Sequence, residues 1–169
     1  MNTEAMNGSG LRPIYETPFD ISAESAVADK LCCIWNVRTK KMKKFFPADV
    51  AVLTNDWDED SGASEVRAFI EIKVRKNVGW KYPTYMISLH KLYDLAALSS
   101  FSGIPSLLVV QWSDALGHWR VPESVDELEI RMGGTKSRGD EQDMEPVALI
   151  PIEQFSIINR DEFKGRSIT

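Results

Sequence analysis

Alternating apolar and polar side chains predict one strand clearly, in the sequence FIEIKVRK at residues 69–76. Successive side chains of a strand point to opposite faces of its sheet, so the pattern, extended back to residue 66, defines two faces. The apolar face comprises Val66, Ala68, Ile70, Ile72 and Val74, and the second face comprises Arg67, Phe69, Glu71, Lys73 and Arg75. The second face is either a solvated surface on which charges alternate or a reaction site.

Two helices and further strands follow from the same kind of pattern. Helical spacing predicts a first helix from Phe19 to Asn36, capped by Asp20 or Ser22. FPADVAVLT at 46–54 reads as a strand that carries Asp49, and an additional strand could lie in KKMKKFF just before it.

The second half of the chain begins with a predicted helix from Thr84 to about Ser102, ended by Gly103 and Pro105. On such a helix Thr84, Ser88 and Lys91 would form one polar stripe. SLLVVQW then reads as a strand buried on both faces, and GHWRV, ELEIRM and PVALIPIEQF as further strands. We therefore expect a disordered leader at 1–18 and a single α/β domain with a mixed sheet at 19–169.

Composition excludes several classes of function. No apolar run approaches the roughly 18 residues that would suggest a membrane span. The only two cysteines, Cys32 and Cys33, are adjacent, which argues against a disulfide or a zinc site and favours the reducing cytoplasm. The net charge of −5 argues against bulk coating of nucleic acid but permits a local basic groove beside an acidic centre.

Three charged residues on neighbouring predicted strands could do chemistry together. Asp49 precedes Glu71 by 22 residues, which is enough for two antiparallel strands and their turn. Two carboxylates, together with the main-chain carbonyl of Ile72, supply the hard oxygen ligands that Mg²⁺ prefers. Lys73 faces the same way as Glu71 and could orient an attacking water or stabilise charge on a phosphoryl group.

The motif P-A-D at 47–49 followed by E-I-K at 71–73 resembles the PD-(D/E)XK nuclease superfamily, which has the restriction-endonuclease-like fold. The resemblance covers roughly residues 19–121, and Ala48 between the proline and the aspartate is a departure from the pattern. The pattern EIK…YPTYMISL…K and the strand GIPSLLVV resemble a group of small phage- and prophage-encoded members. The resemblance implies an αβββαβ core with a mixed central sheet flanked by helices, followed by extra C-terminal strands.

The resemblance also implies a function, a cofactor and site residues. Asp49, Glu71 and Ile72 would hold Mg²⁺, for which Mn²⁺ could substitute, and Lys73 would assist the attacking water. A carboxylate of the first helix would complete the catalytic site: Glu24, with Asp20 and Asp29 as alternatives. The enzyme would be a DNA phosphodiesterase whose cleavage product carries a 5′-phosphate. It would act in the cytoplasm of a bacterial host, and it could be a homodimer. Arg75 and Lys91 would contact the DNA backbone.

Some features have both a functional and a structural interpretation. The basic segment Lys40–Lys44, which includes Lys43 and Lys44, could guide DNA toward the site or be a solvated edge strand. Trp80 and Tyr82 could stack on bases or wedge a duplex, but the sequence favours packing against the second helix. The same fold could also serve without catalysis, as a nucleic-acid- or protein-binding module such as a phage adaptor or inhibitor of a host complex, and the acidic net charge favours this alternative.

Overall fold

A computed structural model of the chain describes residues 17–56, 59–60, 63–134 and 144–158. The predicted leader, apart from Thr17 and Pro18, lies outside the described residues. The elements in chain order are α1 (Pro18–Trp35), β1 (Arg38–Lys41), β2 (Val50–Leu53), β3 (Val66–Val74), β4 (Thr84–Ser88), α2 (Leu89–Ser102), β5 (Ser106–Gln111), β6 (Leu116–Arg120), β7 (Glu129–Gly134), β8 (Met144–Pro151) and β9 (Ser156–Ile157). Among the described residues, no helix combines the length and apolar character needed to cross a membrane.

A six-stranded mixed sheet forms the centre of the fold, in the order β1-β2-β3-β5-β6-β9. Strands β3 and β5 are parallel, whereas β1, β2, β6 and β9 pair antiparallel with their neighbours. As predicted, β5 is buried over almost its whole length, because helices cover both faces of a central parallel strand. The additional strand expected in KKMKKFF is β1, which lies slightly earlier, at Arg38–Lys41.

The prediction of a helix from Thr84 is wrong for its first five residues. Thr84–Ser88 forms β4, which pairs with β8 in a second, three-stranded sheet, β4-β8-β7, and α2 begins only at Leu89. Within β4, Tyr85 and Ile87 are buried while Met86 between them is exposed, which is the two-residue period of a strand. Thr84, Ser88 and Lys91 therefore do not share a helical stripe, and of the three only Lys91 lies on α2.

Helix α1 starts with a capping box that involves a different cap residue from the two predicted. Thr17 is the N-cap: its side chain accepts a hydrogen bond from the Asp20 amide, while the Asp20 carboxylate accepts one from the Thr17 amide at 2.9 Å. Asp20 thus contributes as the third helical residue, and Ser22 plays no part in the cap. This start fixes the first two turns of α1, which carry Glu24.

Two apolar clusters pack on opposite faces of the central sheet. Helix α1 covers one face, where Leu31 packs with Ile70 and Ile72. Helix α2 and the second sheet cover the other face, where Leu92 and Tyr85 pack with Phe69. The β3 face that carries Glu71 is therefore covered by protein, and the solvated-face interpretation is wrong at Glu71, which is 1% exposed.

Candidate active site

The candidate site lies where the ladder between β2 and β3 ends. The two strands pair only between residues 50–53 and 66–70. At that end, the Asp49 amide donates to the Ile70 carbonyl at 2.9 Å, and the Asp49 carboxylate accepts a hydrogen bond from the Ile72 amide at 2.7 Å. The Asp49 carboxylate therefore accepts the hydrogen bond that the next main-chain carbonyl of β2 would otherwise accept, and this bond fixes the carboxylate beside β3.

The main chain of Ile72 faces the same opening. The Phe69 amide donates to the carbonyl of Pro105, just before β5, at 2.9 Å, and the Arg75 amide donates to the carbonyl of Gln111 in β5 at 2.8 Å. Peptide groups alternate in direction along a strand, so those of the even-numbered residues face β2. Past Ile70 no described residue of β2 pairs with them, and the Ile72 carbonyl therefore points toward the opening beside Asp49.

Glu71 is a buried carboxylate held by two lysines. Its Oε1 lies 2.6 Å from Lys73 Nζ and its Oε2 lies 3.1 Å from Lys91 Nζ. Lys91 also donates to the Pro47 carbonyl at 3.2 Å, which ties α2 to the turn before Asp49. Oε2 is buried, and Lys91 Nζ is its charged neighbour, although within the described residues this contact lacks hydrogen-bonding geometry.

Lys73 is positively charged in this environment. Burial alone would lower the pKa of its ammonium, but the carboxylates of Glu71 and Asp49 outweigh burial and raise that pKa above its ordinary value. A protonated lysine can donate hydrogen bonds and neutralise an anion. It cannot act as a general base in this state, because it already carries the proton that a base would accept.

Glu24 reaches the opening from α1. Its carboxylate accepts a hydrogen bond from Lys41 of β1 at 2.7 Å. Burial raises the pKa of Glu24, the bond from Lys41 works in the opposite direction, and the nearby Asp49 carboxylate raises the pKa further. The first helix thus brings a third carboxylate near Asp49, although Lys41 engages it.

These groups share a pocket of about 490 Å³. Of the residues predicted for the site, it is lined by Glu24, Asp49, Glu71, Ile72, Lys73, Arg75 and Lys91. Lys43 and Lys44 are exposed in the turn between β1 and β2 and are not part of the lining.

Three further residues belong to these surroundings, and sequence reasoning missed one of them, Lys76. Lys76 and Asp20 line the pocket, and Lys41 pairs with Glu24. Lys76 directly follows the alternating strand, a sequence signal that could have identified it, whereas the pairing of Lys41 with α1 depends on how β1 lies against the helix.

The oxygen groups of the pocket fit a magnesium ion, although the carboxylates are few. Among the described residues, no three His, Cys, Asp or Glu side chains gather closely enough to form a metal cluster by themselves. Asp49, Glu71 and Ile72 nevertheless bring two carboxylates and a main-chain carbonyl to one pocket. Mg²⁺ typically takes one or two carboxylates and completes its shell with water and substrate phosphate, so this set suits it.

Comparison with known proteins identifies the family. Residues 10–158 match the family described as "Phage putative PDDEXK endonuclease". The chain belongs to this family. The match confirms the predicted resemblance to PD-(D/E)XK nucleases, including the phage subgroup. It supports a nuclease that hydrolyses phosphodiesters.

Solved structures of PD-(D/E)XK-like proteins resemble this family member. The Holliday junction resolvase Hjc from Archaeoglobus fulgidus matches with a TM-score of 0.50 and 14% identity, over 86% of this chain and 98% of Hjc. D212, a nuclease from a fusellovirus, matches with a TM-score of 0.47 and 12% identity, over 88% of this chain and 92% of D212. No curated protein sequence matches the chain. The likeness to Hjc confirms the predicted restriction-endonuclease-like fold.

Proposed function

We propose that this protein is a magnesium-dependent nuclease that hydrolyses DNA at the opening between β2 and β3. The observation that carries the proposal is the convergence of Asp49, Glu71 and Lys73 on one pocket, with the Ile72 carbonyl between the two strand residues. Membership of a phage endonuclease family supports hydrolysis of a phosphodiester. DNA as the substrate is supported by the family and by the likeness to a Holliday junction resolvase.

In the proposed site each residue has a separate task. Asp49, Glu71 and the Ile72 carbonyl would hold Mg²⁺, or Mn²⁺ in its place. When bound, the ion supplies positive charge that makes water a better nucleophile and neutralises a phosphoryl oxygen. Glu24 would complete the site once it is released from Lys41.

Lys73 and Lys91 would stabilise negative charge at two different places. Lys73 carries a proton at Nζ and would donate a hydrogen bond to the attacking water or to the oxygen that gains charge in the transition state. Lys91 would keep Glu71 in place by pairing with it, and with Arg75 it would contact phosphates of the DNA backbone. The expected products are a 5′-phosphate and a 3′-hydroxyl.

The test is cleavage of labelled duplex, single-stranded and branched DNA with Mg²⁺ or Mn²⁺. The variants are Glu71→Gln and Lys73→Ala, and the matched control is Glu65→Gln, because Glu65 lies before β3 and forms an exposed ion pair with Arg67. We expect cleavage by the wild type and by Glu65→Gln, and its loss in the other two variants. Activity that survived both Glu71→Gln and Lys73→Ala would refute the proposed site.

The non-catalytic alternative gives a different outcome in the same experiment. An adaptor on this fold would cleave none of the DNA forms, and calorimetry would detect no binding of Mn²⁺. Membership of the endonuclease family favours the enzyme over the adaptor.

A further inference from the structure

The loop that joins β3 to β4, residues 75–83, presents two aromatic rings to solvent; we refer to it as the aromatic loop. Trp80 is 54% exposed and Tyr82 is 55% exposed. Large aromatic side chains are usually more buried than this, because their burial contributes strongly to stability. Two such rings on one short loop make it a candidate contact surface.

The aromatic loop is anchored to the turn after β5, which holds its backbone and the Trp80 ring in place before any ligand arrives. The Gly79 amide donates to the Asp114 carboxylate at 2.8 Å, and the Ser113 amide donates to the Asn77 carbonyl at 3.1 Å. The Trp80 ring meets the buried Trp112 edge-on, with 6.1 Å between centroids. A preformed surface binds with a smaller loss of conformational entropy than a mobile one.

The charges of the aromatic loop favour a polyanion. Residues 75–83 contain Arg75, Lys76 and Lys81 and no acid. Within the described part of the chain, no carboxylate lies at ion-pair distance from any of these three cations. Lys81 lies 5.3 Å from the Tyr82 ring centroid, so ring and cation form one surface. Aromatic rings among unneutralised cations are the combination that single-stranded nucleic acid recognises, through stacked bases and a charged backbone.

The aromatic loop is continuous with the candidate active site. Arg75 and Lys76, its first two residues, line the same pocket as Glu71 and Lys73. Trp80 follows Lys76 by four residues along the same loop. Bases inside an intact duplex are paired and stacked on each other, so only an unpaired base could stack on the ring.

We propose that the aromatic loop stacks an unpaired base of the substrate, with Trp80 as the main platform and Tyr82 as the second. The substrate class would then be DNA with a single-stranded segment next to the cleaved phosphate, such as a flap, a gap or a free strand. This inference rests on the proposed nuclease function, which it narrows.

Binding without cleavage tests the stacking directly. Fluorescence anisotropy would compare a short labelled oligothymidylate with a blunt duplex, in EDTA so that neither is cut. The variants are Trp80→Ala and Trp80→Phe, and the matched control is Phe101→Ala, because Phe101 is a 97% exposed aromatic residue near the end of α2. Loss of one stacked base should weaken oligothymidylate binding by roughly 5- to 100-fold in Trp80→Ala. Trp80→Phe and Phe101→Ala should bind nearly as the wild type does, and duplex binding should hardly change in Trp80→Ala.

A second measurement keeps the proposal testable if Trp80→Ala fails to fold. Oligothymidylate should quench the tryptophan fluorescence of the wild type, and Trp80→Phe should remove that quenching while it retains binding. Wild-type affinity in a folded Trp80→Ala variant, or unchanged quenching in Trp80→Phe, would overturn the proposal. So would a wild type that does not bind oligothymidylate.

The outcomes for stacking and for catalysis are separable. Cleavage that depends on Glu71, with a Trp80→Ala variant that binds and cuts as the wild type does, would leave the nuclease in place and remove the stacking. Oligothymidylate binding that depends on Trp80, in a protein that cleaves no DNA, would support the stacking and remove the nuclease.

Discussion

The Asp49 carboxylate accepts a hydrogen bond from the Ile72 amide at 2.7 Å, across the point where β2 and β3 stop pairing. The Asp49 side chain thus gives the Ile72 amide the hydrogen-bond acceptor that β2 no longer supplies, and the bond fixes this carboxylate next to Glu71 and Lys73. The same bond stabilises the end of the sheet and orients a carboxylate for chemistry. These two roles can be separated by substitution.

Replacement of Asp49 by asparagine should abolish activity while it preserves the fold. The side-chain carbonyl of the new amide could still accept the bond from Ile72, but the variant lacks the negative charge that would hold a cation. We expect the cleavage rate to fall by about 100-fold or more, with a thermal midpoint close to that of the wild type. Cleavage assays and thermal unfolding, with Glu65→Gln as the control, measure the two effects. Wild-type cleavage by Asp49→Asn would contradict a metal-binding role for Asp49.

Divalent metal should stabilise the wild type by mass action. An ion that binds only the folded state at about 100 times its Kd adds roughly 2.7 kcal/mol to the free energy of unfolding. Thermal unfolding should therefore shift upward with Mn²⁺ and return with EDTA. Glu71→Gln should not respond to the metal. An equal upward shift in wild type and Glu71→Gln would place the ion elsewhere.

Removal of Lys91 should destabilise the fold through Glu71. Lys91→Met leaves a buried carboxylate, 1% exposed, with one ammonium instead of two. Since Lys91 itself is partly exposed, we expect a loss of about 1–3 kcal/mol in the free energy of unfolding. Urea denaturation measures it.

The double variant Glu71→Gln with Lys91→Met provides the control for this pair. Because the buried carboxylate is then absent, the double variant should lose less stability than the sum of the two single variants. Strict additivity would mean that the 3.1 Å contact between Glu71 and Lys91 does not contribute to stability.

Because of His118, the free energy of unfolding should decrease as the pH is lowered below about 6.5. Its ring packs edge-on against Trp35, and within the described residues its Nδ1 is buried without a hydrogen-bond partner. Burial lowers the pKa of His118 below its ordinary value of 6.5. As the pH falls through 6.5, the unfolded chain therefore takes up a proton that the folded chain does not. The free energy of unfolding is then lost by up to about 1.4 kcal/mol per pH unit until the lowered pKa is reached.

Urea denaturation across roughly pH 5 to 8, the range in which histidine titrates, checks this expectation. His118→Gln should remove that part of the slope, whereas His90→Gln is the matched control, because His90 is an exposed histidine on α2 paired with Asp94. The same slope in His118→Gln and in the wild type would show that another group is responsible.

Patterns along the sequence were sufficient for much of the architecture. The alternation from Val66 to Val74 and the apolar run at β5 predicted two core strands, because period and hydrophobicity are local properties. Gly103 ends α2 in the left-handed conformation, as its position after the helical pattern predicted. Asp49, Glu71 and Lys73 could be grouped because two antiparallel strands and their turn account for the spacing.

Only the tertiary structure decided which surfaces are buried and which charges meet. Thr84–Ser88 is compatible with helix or strand by itself, and its pairing with β8 made it a strand. The face of β3 that carries Glu71 could have met water, but α2 and the second sheet cover it, and Lys91 pairs with the buried acid. Lys41 met Glu24 because β1 lies beside α1. A sequence specifies local period and composition, whereas burial and ion pairing depend on elements far apart in the chain that meet only on folding.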